Sequence, residues 1–459
     1  MTIKYAITIP APARIDGTAT ASVRAAALLT LLLLAACTED PPAPPAGPGP
    51  ADNFLQVAAA ECGQCHTTHF AEWQGSMHAY AGTDPLWYAI NAAGQEDTGG
   101  KLDQFCVGCH LPAAQLAGLT SMPLDRKTAL DRTLVREGVG CGFCHSIDRF
   151  TGISNREAAF TFATDRRVYG TIPDPLVTPY HEAEVRSGMG NSAYCGTCHQ
   201  VENDAGLPIE STYTEWFESN YNATGVDCQD CHMPEYQGRA TSSPDSPLRT
   251  LHRHTFVGVD VALEDFPGRD AQIADIAELL AGAARLELSG AADADSVRVT
   301  ATVRNVGTGH DLPSGPTSER QLWIEIHVED GDGTGVFASG ELDQNDDLKD
   351  HHSIIEPGAD PQLALWNSVL LDAQGDETPF MWRARNQESR RIPAQGTSDA
   401  LYRFNRPSVG PLRVHARLQF RALPPYTLRE RGLDERLPFL EIFTVDEAEI
   451  TIPLPSPTS

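Results

Sequence analysis

Cys62-Gly-Gln-Cys65-His66 is a five-residue pattern that returns four more times, as Cys106-Val-Gly-Cys109-His110, Cys141-Gly-Phe-Cys144-His145, Cys195-Gly-Thr-Cys198-His199 and Cys228-Gln-Asp-Cys231-His232. Two thiols separated by two residues and followed at once by an imidazole are what covalent attachment of a c-type haem requires. The thiols form thioethers to the porphyrin, and the histidine supplies the proximal nitrogen to iron. From this composition chance would supply about 0.01 copies of the pattern, so five copies decide the reading. Five covalently bound c-type haems are predicted, with His66, His110, His145, His199 and His232 as their proximal ligands. A zinc site would gather paired cysteine motifs on one metal and would not need a histidine behind every pair. A redox dithiol would not recur five times in one domain.

Those motifs use ten of the eleven cysteines. The remaining one, Cys37, follows Arg24 and the apolar run Ala25 to Ala36, which ends in Leu34-Ala35-Ala36. Twelve residues are too few to cross a bilayer but suit the apolar region of a signal peptide. The small residues ahead of Cys37 resemble a bacterial lipobox. Residues 1–36 are therefore expected to be a lipoprotein signal peptide and Cys37 a lipidated residue, with 37–52 as a Pro-rich, extended tether. The expected location is extracytoplasmic, at a periplasmic face, an outer membrane or the cell surface. The net charge of −28, from 34 Lys+Arg against 62 Asp+Glu, argues against nucleic acid as a partner and leaves the lipid anchor as the membrane contact.

A length of 459 residues suggests two or three domains. Residues 53–262 hold every haem motif and read as a mainly α and irregular pentahaem domain, broken by Gly, Pro and Asn. Only 7% of the chain is aromatic, so porphyrins are expected to supply apolar mass there. Glu72-Trp73-Gln-Gly-Ser76 is echoed by Glu215-Trp216-Phe-Glu-Ser219, which hints at duplication. Residues 263–285 form a helical junction, with Ile273, Ile276, Leu279 and Leu280 at helical spacing. From 286 to 455 alternation takes over. Val297, Val299, Ala301 and Val303 share one face, and Leu322, Ile324, Ile326 and Val328, then Leu412, Val414, Ala416 and Leu418, repeat the pattern. The expected fold is an all-β sandwich of immunoglobulin-like type.

The second axial ligand separates an electron carrier from an enzyme, because an iron closed by two strong ligands exchanges electrons while an open one binds small molecules. Ten histidines remain. His78 lies out of reach of its own proximal side and would serve a neighbouring haem, and His181 follows a Pro-rich turn. His252 and His254 point to opposite sides of an extended segment, and His254 is preferred. His69 either ligates an adjacent iron or hydrogen-bonds a propionate. His310 sits in Gly307-Thr-Gly309-His310-Asp-Leu-Pro313-Ser-Gly315, a rigid loop suited to presenting an imidazole to the other domain. If His310 ligates, the β-domain is a lid on the haem array. His327 and His415 lie on polar strand faces, and the doublet His351-His352 has no assigned role. Of the methionines, Met77, Met189 and Met233 allow at most one His/Met centre.

Beyond the attachment motifs, Glu72-Trp73-x-x-Ser76-x-His78-Ala, Tyr169-Gly170-x-Ile172 leading to Pro179-Tyr180-His181, Tyr194-Cys-Gly-Thr-Cys-His199-Gln200, Thr212-Tyr213-x-Glu215-Trp216, Cys-His232-Met233-Pro234 and His254-x-Phe256-x-Gly258 resemble multihaem cytochromes c of the tetrahaem type associated with hydroxylamine oxidation. The His310 loop and strand-rich tail look like those of larger, surface-exposed relatives. The resemblance implies stacked, mostly bis-histidine haems acting as an electron wire, with one haem five-coordinate in some members, and by matching motif it marks His78, His181 and His254 as distal ligands. The fifth motif and the β-domain depart from the tetrahaem pattern. The leading expectation is electron transfer between redox proteins, such as other cytochromes or quinol-linked complexes. One alternative is an oxidoreductase acting on a small nitrogen or sulfur compound at an open haem, although no motif ends in the lysine of pentahaem nitrite reductases. Another is a subunit of a polymeric or surface cytochrome conduit, oligomerising through the β-domain.

Overall fold

The computed structural model describes residues 54–150 and 160–454. The expected signal peptide, Cys37 and the tether to residue 52 lie outside the described residues. No helix among the described residues is long and apolar enough to cross a membrane.

As far as the end of the last attachment motif, the chain is built from short helices. Pro85–Asp97, the longest of them, begins with proline at its first position and is capped by Asp84, whose carboxylate accepts from Leu86 N at 2.9 Å. Others are single turns started by Ser76, Asp125, Asn191 or Ser219. All five motifs are helical in whole or in part: Cys62 lies in Ala59–Gly63, Cys109 and His110 lie in Val107–His110, Cys195 lies in Ser192–Gly196, and Cys141–His145 and Cys228–His232 are complete motifs.

Apolar side chains in this region gather in small separate clusters. One holds Trp87, Tyr88, Val107, Leu111 and Val135, another Leu55, Ala113, Phe143 and Ile147, and a third Ala59, Trp73 and Ala79. Such clusters are too small to organise a domain of this length by themselves. Four two-stranded ladders join the loops: Ile147–Phe150 with Phe160–Phe162, Arg167–Gly170 with Glu182–Val185, Val201–Glu202 with Pro208–Glu210, and Glu235–Arg239 with Leu248–His252. Their short, mixed-polarity sequences carry no period long enough to read in advance.

The junction helix is Arg269–Ala283, burying Gln272, Ile276, Leu280 and Ala283, and it runs straight into the strand Ala284–Ala292. Beyond it the strands pair antiparallel in open sheets. Ser296–Asn305 lies between Ala284–Ala292 and Thr397–Asn405. In the larger sheet Gln321–Glu329 pairs with Gly335–Ser339 and Leu412–Arg421, which pairs with Phe443–Ile452. The alternation in sequence is the alternation of burial: Val297, Val299, Ala301 and Val303 are buried with Leu322, Ile324, Ile326 and Val328 and with Leu412, Val414, Ala416 and Leu418 in one core drawn from both sheets. His327 and His415 lie on the outer face, beside Glu325 and Glu447.

The β-region is fastened to the helical region by polar contacts around an apolar patch. Arg320, buried, grips Asp260 with two hydrogen bonds of 2.6 and 2.8 Å. Asn203 Nδ2 donates to Met381 O and Ala384 O, both at 2.9 Å. Leu86 and Leu263 pack with Leu423 and Leu428. Ile326 is fully buried in the β core, so Ile326→Ala is expected to cost about 2–5 kcal/mol, measured as a lowered unfolding midpoint with the haem spectra unchanged.

Candidate functional site

Four of the five proximal histidines, His66, His145, His199 and His232, are oriented by hydrogen bonds on their outer nitrogen. Nδ1 of His66 donates to Ala240 O (2.7 Å), that of His145 to Tyr169 O (2.7 Å) and that of His232 to Val257 O (2.5 Å). A hydrogen bond at Nδ1 fixes the tautomer and leaves Nε2 as the ligating atom. His199 differs, since its Nδ1 meets the carboxylate Oε1 of Glu210 at 3.0 Å. The hairpin that follows the motif makes this contact, because pairing of Val201 with Glu210 folds the chain back beside the histidine. Glu210 was not apparent from the sequence. The turn signal Asn203-Asp204-Ala-Gly206 is what could have revealed it.

Four proximal rings each face a second imidazole. Ring centroids are 6.3 Å apart for His66 and His181, for His145 and His254, and for His232 and His310, and 6.4 Å apart for His199 and His78. Interplanar angles are 26°, 16°, 16° and 37° in the same order. An imidazole nitrogen lies about 2 Å from a first-row metal and the ring centre about 1 Å further on, so two imidazoles bound to opposite sides of one ion have centroids roughly 6 Å apart. The residues present fit a haem iron between each pair. Haem so held supplies a one-electron ferric/ferrous couple. Enclosure holds these imidazoles neutral, the form a metal needs: it pushes His78 and His254 down to about 3 and His232 to about 4. Enclosure would lower His199 too, but the Glu210 carboxylate outweighs it and brings His199 up to about 9.

His110 has a different neighbour. No histidine ring among the described residues faces it at that spacing. Trp87 is stacked beside it, 5.2 Å between centroids and 23° between planes, and the buried Trp87 Nε1 has no hydrogen-bond partner. His69 is also placed apart from the facing pairs. Its Nε2 is 3.1 Å from Tyr236 Oη and its ring is 4.6 Å from His254. His252 donates Nδ1 to Met233 O.

The echoed sequence Glu-Trp-x-x-Ser does the same work twice. Trp73 Nε1 donates to Val139 O and Trp216 Nε1 to Val226 O, each at 2.8 Å, and each carbonyl lies two residues ahead of an attachment cysteine, Cys141 or Cys228. Glu72 accepts from His254 N at 2.8 Å and from Arg253 at 2.6 Å. Glu215 accepts from Asp311 N at 3.2 Å and Ser314 Oγ at 2.6 Å, and pairs with Arg391. Each copy therefore pins an attachment motif with its indole and, with its carboxylate, the loop carrying the imidazole that faces that motif's histidine. The His310 loop is pinned from behind as well, since a Cβ on Gly307 would meet Gly282 O at 2.1 Å.

The described cysteines are free thiols, available for thioethers. Cysteines of separate motifs lie close enough to act on one another, Cys62 with Cys141, Cys109 with Cys198 and Cys195 with Cys228, so the motifs themselves are neighbours.

Residues 61–146 match the model of a family described as cytochrome c554 and c-prime. The fold matches the crystal structure of a penta-heme cytochrome c552 from Thermochromatium tepidum, with a TM-score of 0.59 and 20% identity over 87% of this chain and 100% of that one. Together with the five motifs, these findings support a multihaem c-type cytochrome. No curated protein sequence matches the chain. At 20% identity the structural likeness is one of fold, so the ligand chemistry of this chain rests on its own residues.

Glu210 would make a haem held by His199 electronically distinct. A carboxylate on Nδ1 makes the imidazole a stronger donor and favours ferric iron. Glu210→Gln is expected to raise the midpoint potential of the His199 haem alone in a spectroelectrochemical titration, leaving the other transitions in place.

Proposed function

We propose that this chain carries five covalent c-type haems and passes electrons through them between redox protein partners. The four facing imidazole pairs carry this reading, because two strong axial ligands leave an iron able to change oxidation state but closed to exogenous ligands. On this reading the distal ligands are His181 for the His66 haem, His254 for His145, His78 for His199 and His310 for His232. His69 hydrogen-bonds without ligating. The cysteine neighbours, with Cys144 also acting electrostatically on Cys198, support a path from the first motif to the third and fourth, with the second and fifth branching from the fourth.

His110 supports a second reading for one haem. Without a facing histidine, its iron would be five-coordinate and could bind a small nitrogen or sulfur compound, with Trp87 beside the site. Lipid attachment at Cys37 and an extracytoplasmic location belong to the same proposal, supported by the apolar run and small residues ahead of Cys37. An immunoglobulin-like sandwich is the corresponding reading of the C-terminal region, supported by two antiparallel sheets that share one core.

Electron paramagnetic resonance of the oxidised protein tests the proposal. Four low-spin ferric haems and one high-spin haem are expected, the latter shifting to low spin on adding cyanide. An entirely low-spin spectrum would refute the open site, and fewer than five haems by intact mass would refute the whole scheme. His310→Ala is expected to convert one further haem to high spin.

A further inference from the structure

The doublet His351-His352 was left without a role by the sequence and takes no part in the haem array. The structure brings it against Glu377, and this is the one group of three His, Cys, Asp or Glu side chains among the described residues whose ligand atoms all lie within 4.8 Å of one another. His351 Nε2 is 2.8 Å from Glu377 Oε2, and His352 Nε2 is 3.2 Å from Glu377 Oε1. A metal with ligands at about 2 Å in tetrahedral array separates neighbouring donors by about 3.3 Å, so the donors already stand at metal-binding spacing. Two imidazoles and one carboxylate, with a position left for water, is a donor set suited to zinc and its neighbours in the first transition row.

Three segments hold the donors. The turn Asp372–Asp376 is closed by Asp372 N to Asp376 O at 2.9 Å, and a bridge between Leu371 and Glu377 follows it. The histidine loop is closed by Gly358 N to Asp350 O at 2.7 Å, and Asp350 Oδ1 accepts from His352 N at 2.8 Å. The helix Pro425–Glu430 brings Tyr426 against His352, with centroids 4.0 Å apart and planes at 13°. The His351 ring lies against that of His352, with centroids 3.9 Å apart and planes tilted by 39°. The carboxylates that act on His352, those of Asp350, Glu377 and Glu430, give the site a negative field, which draws in a cation.

We infer that His351, His352 and Glu377 form a binding site for one divalent transition-metal ion, separate from the haem irons. An ion pair alone would hold one imidazolium against Glu377. Here both carboxylate oxygens are engaged, one by each ring, and one ligand atom from each of the three residues lies within 4.8 Å of the other two.

Zinc is the probe, since it is distinguished from haem iron by mass. Full-length holoprotein dialysed against micromolar zinc is expected to retain one zinc more per chain than His351→Ala or Glu377→Gln. Competition with a zinc-binding dye should place each variant at least about tenfold weaker, since even loss of a ligand's supporting partner costs about that much. His351 is exposed, so its replacement leaves the fold intact, which the unchanged Soret band and unfolding midpoint would verify. Equal zinc retention by wild type and both variants, or no zinc retained by the wild type, would overturn the inference. Neither outcome touches the haem assignments, which rest on other residues.

Discussion

Imidazoles paired roughly 6 Å apart, the spacing two ligands take across one metal ion, would constrain this molecule more than any apolar contact does once an ion lies between them. Four such pairs are present, and none is formed within one stretch of chain. His66 meets His181, His78 meets His199, His145 meets His254 and His232 meets His310. Each pair closes a loop of about 80 to 120 residues, a costly ordering that small apolar clusters alone could not offset. Metal bonds are strong enough to do so. The helices can then be short and the loops long, because order comes from cross-links more than from a continuous core.

The two regions illustrate two ways of being stable. In the β-region the alternation Val297, Val299, Ala301, Val303 finds its complement in Ile324, Ile326, Val414 and Ala416, and stability is spread over many equivalent contacts. In the helical region a few hydrogen bonds are asked to be accurate. Trp73 and Trp216 hold attachment motifs, while Glu72 and Glu215 hold the loops opposite. Such polar anchors contribute modestly to stability, but they determine where an imidazole stands.

Legibility in the sequence followed locality. The attachment residues are contiguous and were readable at once, as were strands whose period of two runs for eight residues or more. His78, His181, His254 and His310 were recognisable as candidates from their local settings: a segment out of reach of its own proximal side, a Pro-rich turn, an extended segment and a Gly-rich loop. Which proximal histidine each would face was not readable, because that depends on how distant segments meet. His69 was ambiguous for the same reason: only the fold brings Tyr236 to its Nε2. Trp87 beside His110 resembled an ordinary core aromatic, and its unpartnered indole N–H emerges only in three dimensions.

The duplicated Glu-Trp-x-x-Ser segments diverge two residues after the serine, where one copy has His78 and the other Tyr221. The first copy thus acts as a junction with three outputs: an indole for one motif, a carboxylate for the opposite loop and an imidazole that faces His199 of another motif. The second has surrendered its third output. Its phenol reaches Val306 O at 3.4 Å, at the base of the loop that presents His310, and so serves the partner domain. A single local design has been spent once on presenting an imidazole to a further attachment motif and once on bracing the loop by which the β-region presents another.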